Sequence, residues 1–573
     1  MTAMTDGEAR SWERKLAGVG AMALLFAVLA LTLFRTTLAD SPPTIPAAAI
    51  LNWAAAAAVA LAVTCGLGVV AHHRFFFSTR QRLRHDLGGP EGWLDVYDLR
   101  ETAGERAVLT EAERFWGHPA GHVKQAGWTV GEPISGRWSV RGRLMYAPYP
   151  RSAIVVGPQG AGKSQLLIPF GLDVPGPAVI TSTKTELFDA IAEHRARHYG
   201  PVYVFDPLAI TGGAHNFPFD PVWGCLDAQR TDEVAQAMIR GASVTKQHNE
   251  TFWADIGREI LRCYLLAAAI ENLSSFDVQR WTHMPDDPEP VQILERHEHL
   301  VPEGWLSLYK SRIATNVRQR DGYFATVSSC MDYLGQPGGA AACRARSGMR
   351  FDMRQFLDRR CTLFIIGDKS VRGMASMMTA LTESLAYDAR EVAKADPLWE
   401  PLVMLLDEVT NLTPVDLPRW VTELRGWGVM PFAAIQSRSQ LDKTYGEADA
   451  EIIWDNMVTK VVLGSLGNDR FLEMLSRLAG ERRIRRVTDS THGGGHGTIG
   501  LERIIPLHVI RSLPRWHAFV IGAARHAAVV AFEPGYERLA RERSGAARRP
   551  AWPRWWRHPI RATLSALELR RAR

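Results

Sequence analysis

Gly157-Pro158-Gln159-Gly160-Ala161-Gly162-Lys163-Ser164 fits the pattern G-x-x-x-x-G-K-[ST] of a phosphate-binding loop. The apolar run Ala153-Ile154-Val155-Val156 ahead of it predicts a buried strand, and Gln165 to Phe170 behind it predicts the start of a helix. That is the context the pattern requires. Gly157, Gly160 and Gly162 let the backbone wrap an anion so that successive N–H groups, including that of Gln165, and the helix N-terminus face phosphate. Lys163 is then expected to reach the β- and γ-phosphates of ATP, and the Ser164 hydroxyl to ligate Mg²⁺.

Such a loop needs a second strand that ends in acid. About 245 residues further on, Leu402-Val403-Met404-Leu405-Leu406 leads into Asp407-Glu408. Ligands of open α/β sheets collect at the carboxyl ends of the strands. Asp407 is therefore expected to hold Mg²⁺ through water and Glu408 to polarise the attacking water. Further apolar runs at 177–181, 202–205, 362–366 and 430–435 predict a doubly wound α/β core with a parallel sheet covered on both faces. Gln436 follows the last of these directly, where an amide can sense the γ-phosphate or the lytic water because it both donates and accepts. Between 273 and 348 no strand signal occurs, and helical patterns broken by prolines predict an all-α insertion.

The chain has 573 residues, 46% hydrophobic and 22% charged, which suits a largely folded protein of several domains. Its formal charge of +6 is carried by one end. From Arg541 onward there are 10 Arg against 2 Glu, a surplus of 8, so the preceding 540 residues stand at −2. The body is thus not a basic nucleic-acid binder by composition. Six scattered cysteines without a C-x-x-C pair suit a reducing cytoplasm and argue against a disulfide scaffold or zinc ribbon. The run His492-Gly493-Gly494-Gly495-His496 reads as a loop, since no further metal-ligand residue has suitable spacing.

Leu16 to Phe34 and Ala47 to Ala71 are uncharged stretches of 19 and 25 residues, each long enough to cross a hydrocarbon core of ~30 Å. Arg10, Arg14 and Lys15 precede the first, and Arg74, Arg80, Arg82 and Arg84 follow the second, whereas only Arg35 marks the linker between them. This bias predicts a two-span anchor in the bacterial inner membrane with both chain ends cytoplasmic. The expected division is an anchor at 1–78, a nucleotide-binding domain at 79–272 and 349–540 interrupted by the insertion at 273–348, and a basic tail at 541–573.

The order and spacing of these boxes resemble the coupling proteins of conjugative type IV secretion, the TraG/TraD class. GPQGAGKS is followed by Thr183-Lys184-Thr185-Glu186-Leu187, Phe205-Asp206-Pro207 and Phe252-Trp253. LLDEVTNL, Leu424-Arg425-Gly426-Trp427-Gly428, IQSRSQL and Ser512-Leu513-Pro514 come later. The resemblance covers about residues 12–535. It implies a membrane-anchored, homohexameric RecA-like ATPase that brings a relaxase–single-stranded DNA complex to a secretion channel and its ATPases. Lys163, Ser164, Asp407, Glu408 and Gln436 fall on the family's nucleotide-site positions. Arg425 falls where the family has an arginine acting across the subunit interface, and Arg151 on a position that contacts the base. The box at Ser182 departs from the usual D-x-K-G-E by lacking the Asp and the Gly.

In the tail, Arg548-Arg549-Pro550-Ala551-Trp552-Pro553-Arg554-Trp555-Trp556-Arg557 mixes cations with indoles, which suits single-stranded nucleic acid, an anionic bilayer or plain solvation. Two other functions fit the same motifs. One is an FtsK-type translocase of duplex DNA, against which stands the lack of a sequence for a winged-helix reader after Pro534. The other is a docking receptor for protein substrates that uses ATP only as a switch.

Overall fold

Every strand anticipated around the phosphate loop forms, and each runs into the same edge of one sheet. The computed structural model describes residues 83, 86, 87, 89, 91–136, 138–243, 251–344, 351–368, 370–488 and 496–544. In chain order the strands are β1 (Gly127–Pro133), β2 (Met145–Pro148), β3 (Ala153–Val156), β4 (Ala178–Ser182), β5 (Val202–Phe205), β6 (Thr362–Ile366) and β7 (Leu402–Asp407). They continue as β8 (Val429–Ile435), β9 (Thr459–Leu463), β10 (Glu481–Thr488), β11 (His496–Arg503), β12 (His517–Ile521) and β13 (Ala528–Ala531).

Eleven of them build one sheet in the order β2-β1-β13-β12-β9-β3-β8-β7-β4-β6-β5. From β9 to β5 all pairings are parallel. These strands are near-continuous apolar runs because helices cover both faces, and β4, β6, β7, β8 and β9 are buried throughout. The expected parallel sheet is therefore only part of the whole. β12, β13, β1 and β2 extend it with antiparallel pairings. Of these, β12 follows Ser512-Leu513-Pro514 as an apolar run, whereas β1 carries Gly127 and Gly131, which weaken a strand signal.

The region from Ala228 to Cys343 is helical with connecting turns among its described residues. The helix Thr251–Ile270 packs against Ser275–His283, Glu289–Arg296, Trp305–Ile313 and Val317–Cys330. The insertion thus begins before 273, since its central helix is the one ending at Ile270. Helix Ala228–Ser243 connects it to the core by packing along Met374–Ala395.

No helix among the described residues is long and apolar enough to cross a membrane. The two stretches read as spans lie outside the described residues, as does the tail beyond 544. The first residues assigned to that tail, Arg541 to Ser544, close the helix Gly535–Ser544. The Gly run of the HGGGH segment is also outside, within the connection between β10 and β11, which pair as a separate two-stranded hairpin.

Candidate nucleotide-binding site

The phosphate loop turns from the C-terminal end of β3 into the helix Lys163–Asp173, which has Gly162 at its N-cap. Gly160 and Gly162 sit at φ +80° and +102°, a region open to glycine and strained for other residues. Gly157 N–H donates to the Ile435 carbonyl at 3.1 Å, locking the loop to β8. Register then brings the acids alongside: Val156 pairs with Ile435, and Asp407 with Ala434. Strand ends that are level in the sheet place Lys163, Asp407, Glu408 and Gln436 at one edge.

Lys163 is buried and folded back on its own loop, donating to the Gly157 carbonyl at 2.8 Å and the Pro158 carbonyl at 3.4 Å. Burial lowers its pKa, opposed by the negative field of Asp407 and Glu408, while Lys184 lowers it further. Asp407 is buried too, and desolvation together with the Glu408 charge pushes its pKa up to about 6 despite Lys163. Its Oδ1 has no hydrogen-bond partner among the described residues. A buried carboxylate oxygen without a donor is costly unless something else uses it. A hydrated divalent cation beside the Ser164 hydroxyl fits that requirement, since Mg²⁺ takes oxygen ligands and keeps several waters.

Glu408 adopts φ +54°, an unusual conformation for a residue with a side chain. Strain of this kind persists where the surroundings fix it, and here they do. Gln436 Nε2 donates to Glu408 Oε1 at 2.9 Å, and Asn411 Nδ2 donates to Oε2 at 3.4 Å. Gln436 N–H in turn donates to Gln440 Oε1 at 3.0 Å. Gln436 thus turns its side chain to Glu408 rather than capping the helix Arg438–Tyr445.

The chain following Glu408 is fastened from behind. Glu383, buried in the helix Met374–Ala395, accepts from Arg419 Nη2 at 2.6 Å, Trp420 Nε1 at 2.9 Å and the Asp416 N–H at 3.1 Å. Arg419 also pairs with Glu233 of the helix Ala228–Ser243 at 2.6 Å. None of these residues belongs to a motif read in the sequence, because a buried ion pair assembled from three distant helices has no local spacing.

Gln165 joins the loop to two other elements. Its Nε2 donates to Glu186 Oε1 at 2.6 Å, and its Oε1 accepts from the Tyr536 N–H at 3.0 Å. The divergent box at Ser182 therefore still lies beside the site, at the C-terminal end of β4.

The two arginines lie at the other edge. Arg151 precedes β3, so roughly 15–20 Å of extended chain separates it from the loop. It donates to both Glu111 oxygens at 2.8 and 2.6 Å and to the Ala523 carbonyl at 3.3 Å. The structure does not bring it to the phosphate loop of its own chain. Arg425 precedes β8 in the turn Leu424–Trp427, roughly 23 Å of strand from Gln436. It is exposed, with its guanidinium 5.4 Å from the centre of the Phe115 ring.

The sequence profile of the family described as type IV secretory system conjugative DNA transfer matches residues 104–499. Among solved structures, the unbound bacterial conjugative coupling protein TrwBdeltaN70 is similar, with a TM-score of 0.51 and 19% identity over 68% of this chain and 87% of that one. Plasmid coupling protein TrwB in complex with a non-hydrolysable ATP analogue gives 0.51 and 18%, over 74% and 92%. At such identities the likeness establishes a shared fold. No curated protein matches the chain.

Proposed function

This chain belongs to the type IV secretory system conjugative DNA transfer family, and from that premise we propose that it is the ATP-hydrolysing coupling protein of a conjugation apparatus. It would bind a relaxase–single-stranded DNA complex, hand it to the secretion channel, and use ATP turnover to drive transfer. The two apolar N-terminal stretches support an inner-membrane location, with the nucleotide site on the cytoplasmic side and a homohexamer as the working assembly.

One observation carries the ATPase reading: an unpartnered Asp407 oxygen, the Glu408–Gln436 pair and Lys163 meet at the edge where the phosphate loop opens. Lys163 leaves the Gly157 and Pro158 carbonyls for the β- and γ-phosphates. Ser164 and Asp407 would hold Mg²⁺, which neutralises charge on the phosphate oxygens. Glu408, oriented by Gln436 and Asn411, accepts a hydrogen bond from the attacking water and aims it at the γ-phosphorus. Gln436 follows the same water through Glu408, so its amide registers whether the γ-phosphate is present.

Lys163→Ala is expected to abolish both ATP hydrolysis by the purified protein and delivery of DNA to recipients in a mating assay. Glu408→Gln separates a motor from a switch, because it keeps nucleotide binding while removing the water-activating carboxylate. Loss of recipients in that variant supports the motor; undiminished mating would mean that ATP only toggles a docking receptor.

A further inference from the structure

Arg151 lies at the edge away from its own phosphate loop, and the antiparallel half of the sheet sets other residues beside that loop. β12 runs against β9 with Ala518 opposite Leu463, so the residue just before β12 lies level with the phosphate loop. That residue is Trp516. A Cβ placed on Gly162 would lie 3.0 Å from its ring, so the indole abuts the last glycine of the loop. Trp516 sits at φ +64°, held in a conformation that disfavours a bulky side chain. Its carbonyl accepts from the Phe532 N–H at 3.0 Å, and its ring meets those of Phe532 and Tyr536 edge-on, with centroids 6.1 and 5.6 Å apart.

Tyr536 opens the helix Gly535–Ser544, which lies on the phosphate-loop helix. Its N–H holds Gln165, and further along Arg538 pairs with Asp173 at 2.7 Å. Tyr536 is nonetheless 51% exposed. It borders a cavity of about 770 Å³ also lined by Gln165, Thr183, Lys184, Glu186 and Leu539. Residue 165 directly follows the G-K-S triplet of the loop whose backbone cradles the α- and β-phosphates, so the cavity borders that loop.

We infer that Tyr536, backed by Trp516, is the stacking platform for the purine base of ATP, with the cavity beside Gln165 receiving the nucleoside. This rests on the nucleotide-site reading above and adds the element that recognises the base. Two aromatic rings, one rigidly wedged and one open to solvent, form a surface on which any purine π-face stacks. Such stacking tolerates different bases, so adenine and guanine are expected to bind within a few-fold of one another.

The test compares the binding of Mg-ATP, Mg-GTP and inorganic tripolyphosphate to the detergent-solubilised full chain by calorimetry, for wild type, Lys163→Ala, Tyr536→Ala and Tyr536→Phe. Tyr536→Ala is expected to weaken ATP and GTP roughly tenfold while leaving tripolyphosphate unchanged. Tyr536→Phe, which keeps the ring, should bind all three as wild type does. Unchanged ATP affinity in Tyr536→Ala would overturn the inference. Equal weakening of ATP and tripolyphosphate would overturn it too, by showing that the residue only props the loop. If Lys163→Ala left all three ligands bound normally, the phosphate-loop reading itself would fail, and the base platform with it.

Discussion

Replacing Glu383 tests whether the segment that follows Glu408 is held from behind. Its carboxylate is almost fully buried, at 2% exposure, and accepts three hydrogen bonds, from Arg419, Trp420 and the Asp416 backbone. In Glu383→Ala, Arg419 keeps Glu233 as a partner, so the cation is not stranded. The Trp420 and Asp416 N–H groups are stranded, at about 1–3 kcal/mol each. Adding the space left by the lost side chain, the expected destabilisation is about 3–5 kcal/mol. Glu383→Gln keeps one oxygen for Arg419 and Trp420 but turns an amide donor toward the Asp416 N–H, which costs about 1–3 kcal/mol. Desolvation raises the Glu383 pKa above its ordinary value, against the attraction of Arg419 and Arg240. A carboxyl raised in the folded state contributes stability that is complete below the unfolded pKa and lost as pH climbs through the folded value. Glutamine cannot ionise, so the gap between wild type and Glu383→Gln should narrow from pH 5 upward. Urea unfolding of the purified protein at several pH values reads both effects. Equal midpoints for Glu383→Ala and wild type would refute the reasoning, as would a glutamine penalty that grows with pH. Turnover should fall in Glu383→Ala by more than ATP affinity does, since the anchored segment carries Glu408 and not the phosphate loop.

Gln436→Leu removes the donor that orients Glu408 and should lower kcat by about 10–100-fold with little change in KM for ATP, measured by steady-state phosphate release. An equal rise in KM would place Gln436 in ground-state binding instead. Arg425→Ala should cost on the order of 10³-fold in turnover if the guanidinium stabilises transition-state charge. Mixing Arg425→Ala with Lys163→Ala chains should restore part of that activity, because each intact loop can then face an intact arginine; no recovery on mixing would show that Arg425 does not serve a neighbouring site.

The nucleotide site was legible because its parts are local. A glycine pattern flanked by strand and helix, an apolar run ending in Asp407-Glu408, and Gln436 at a strand end are each decided within a dozen residues. Parallel register then carries them to one edge without further information. What escaped the sequence depends on pairing between distant segments. β1 and β2 are joined to β12 and β13 across some 370 residues of chain, and β9 is a short run with Lys460 inside it. Trp516 lies level with the phosphate loop only because β12 runs antiparallel to β9. Glu383 reads as one more residue of an amphipathic helix until Arg419 and Trp420 are found against it.

Strand direction also decides what Arg425 and Arg151 can do. Both precede a parallel strand, whereas the phosphate loop, Asp407 and Gln436 follow one. A parallel sheet sends all strand starts to one edge and all strand ends to the other, and β8 alone sets roughly 23 Å between Arg425 and Gln436. No rotamer of an arginine closes that distance within one chain. Any arginine at this position that completes the transition-state charge must therefore arrive from a second chain whose N-terminal sheet edge faces this chain's C-terminal edge. That is a head-to-tail contact, which closes into a ring or runs on as a filament. The exposure of Arg425, beside Trp427 at 38% on the same turn, is what such a contact requires of the monomer.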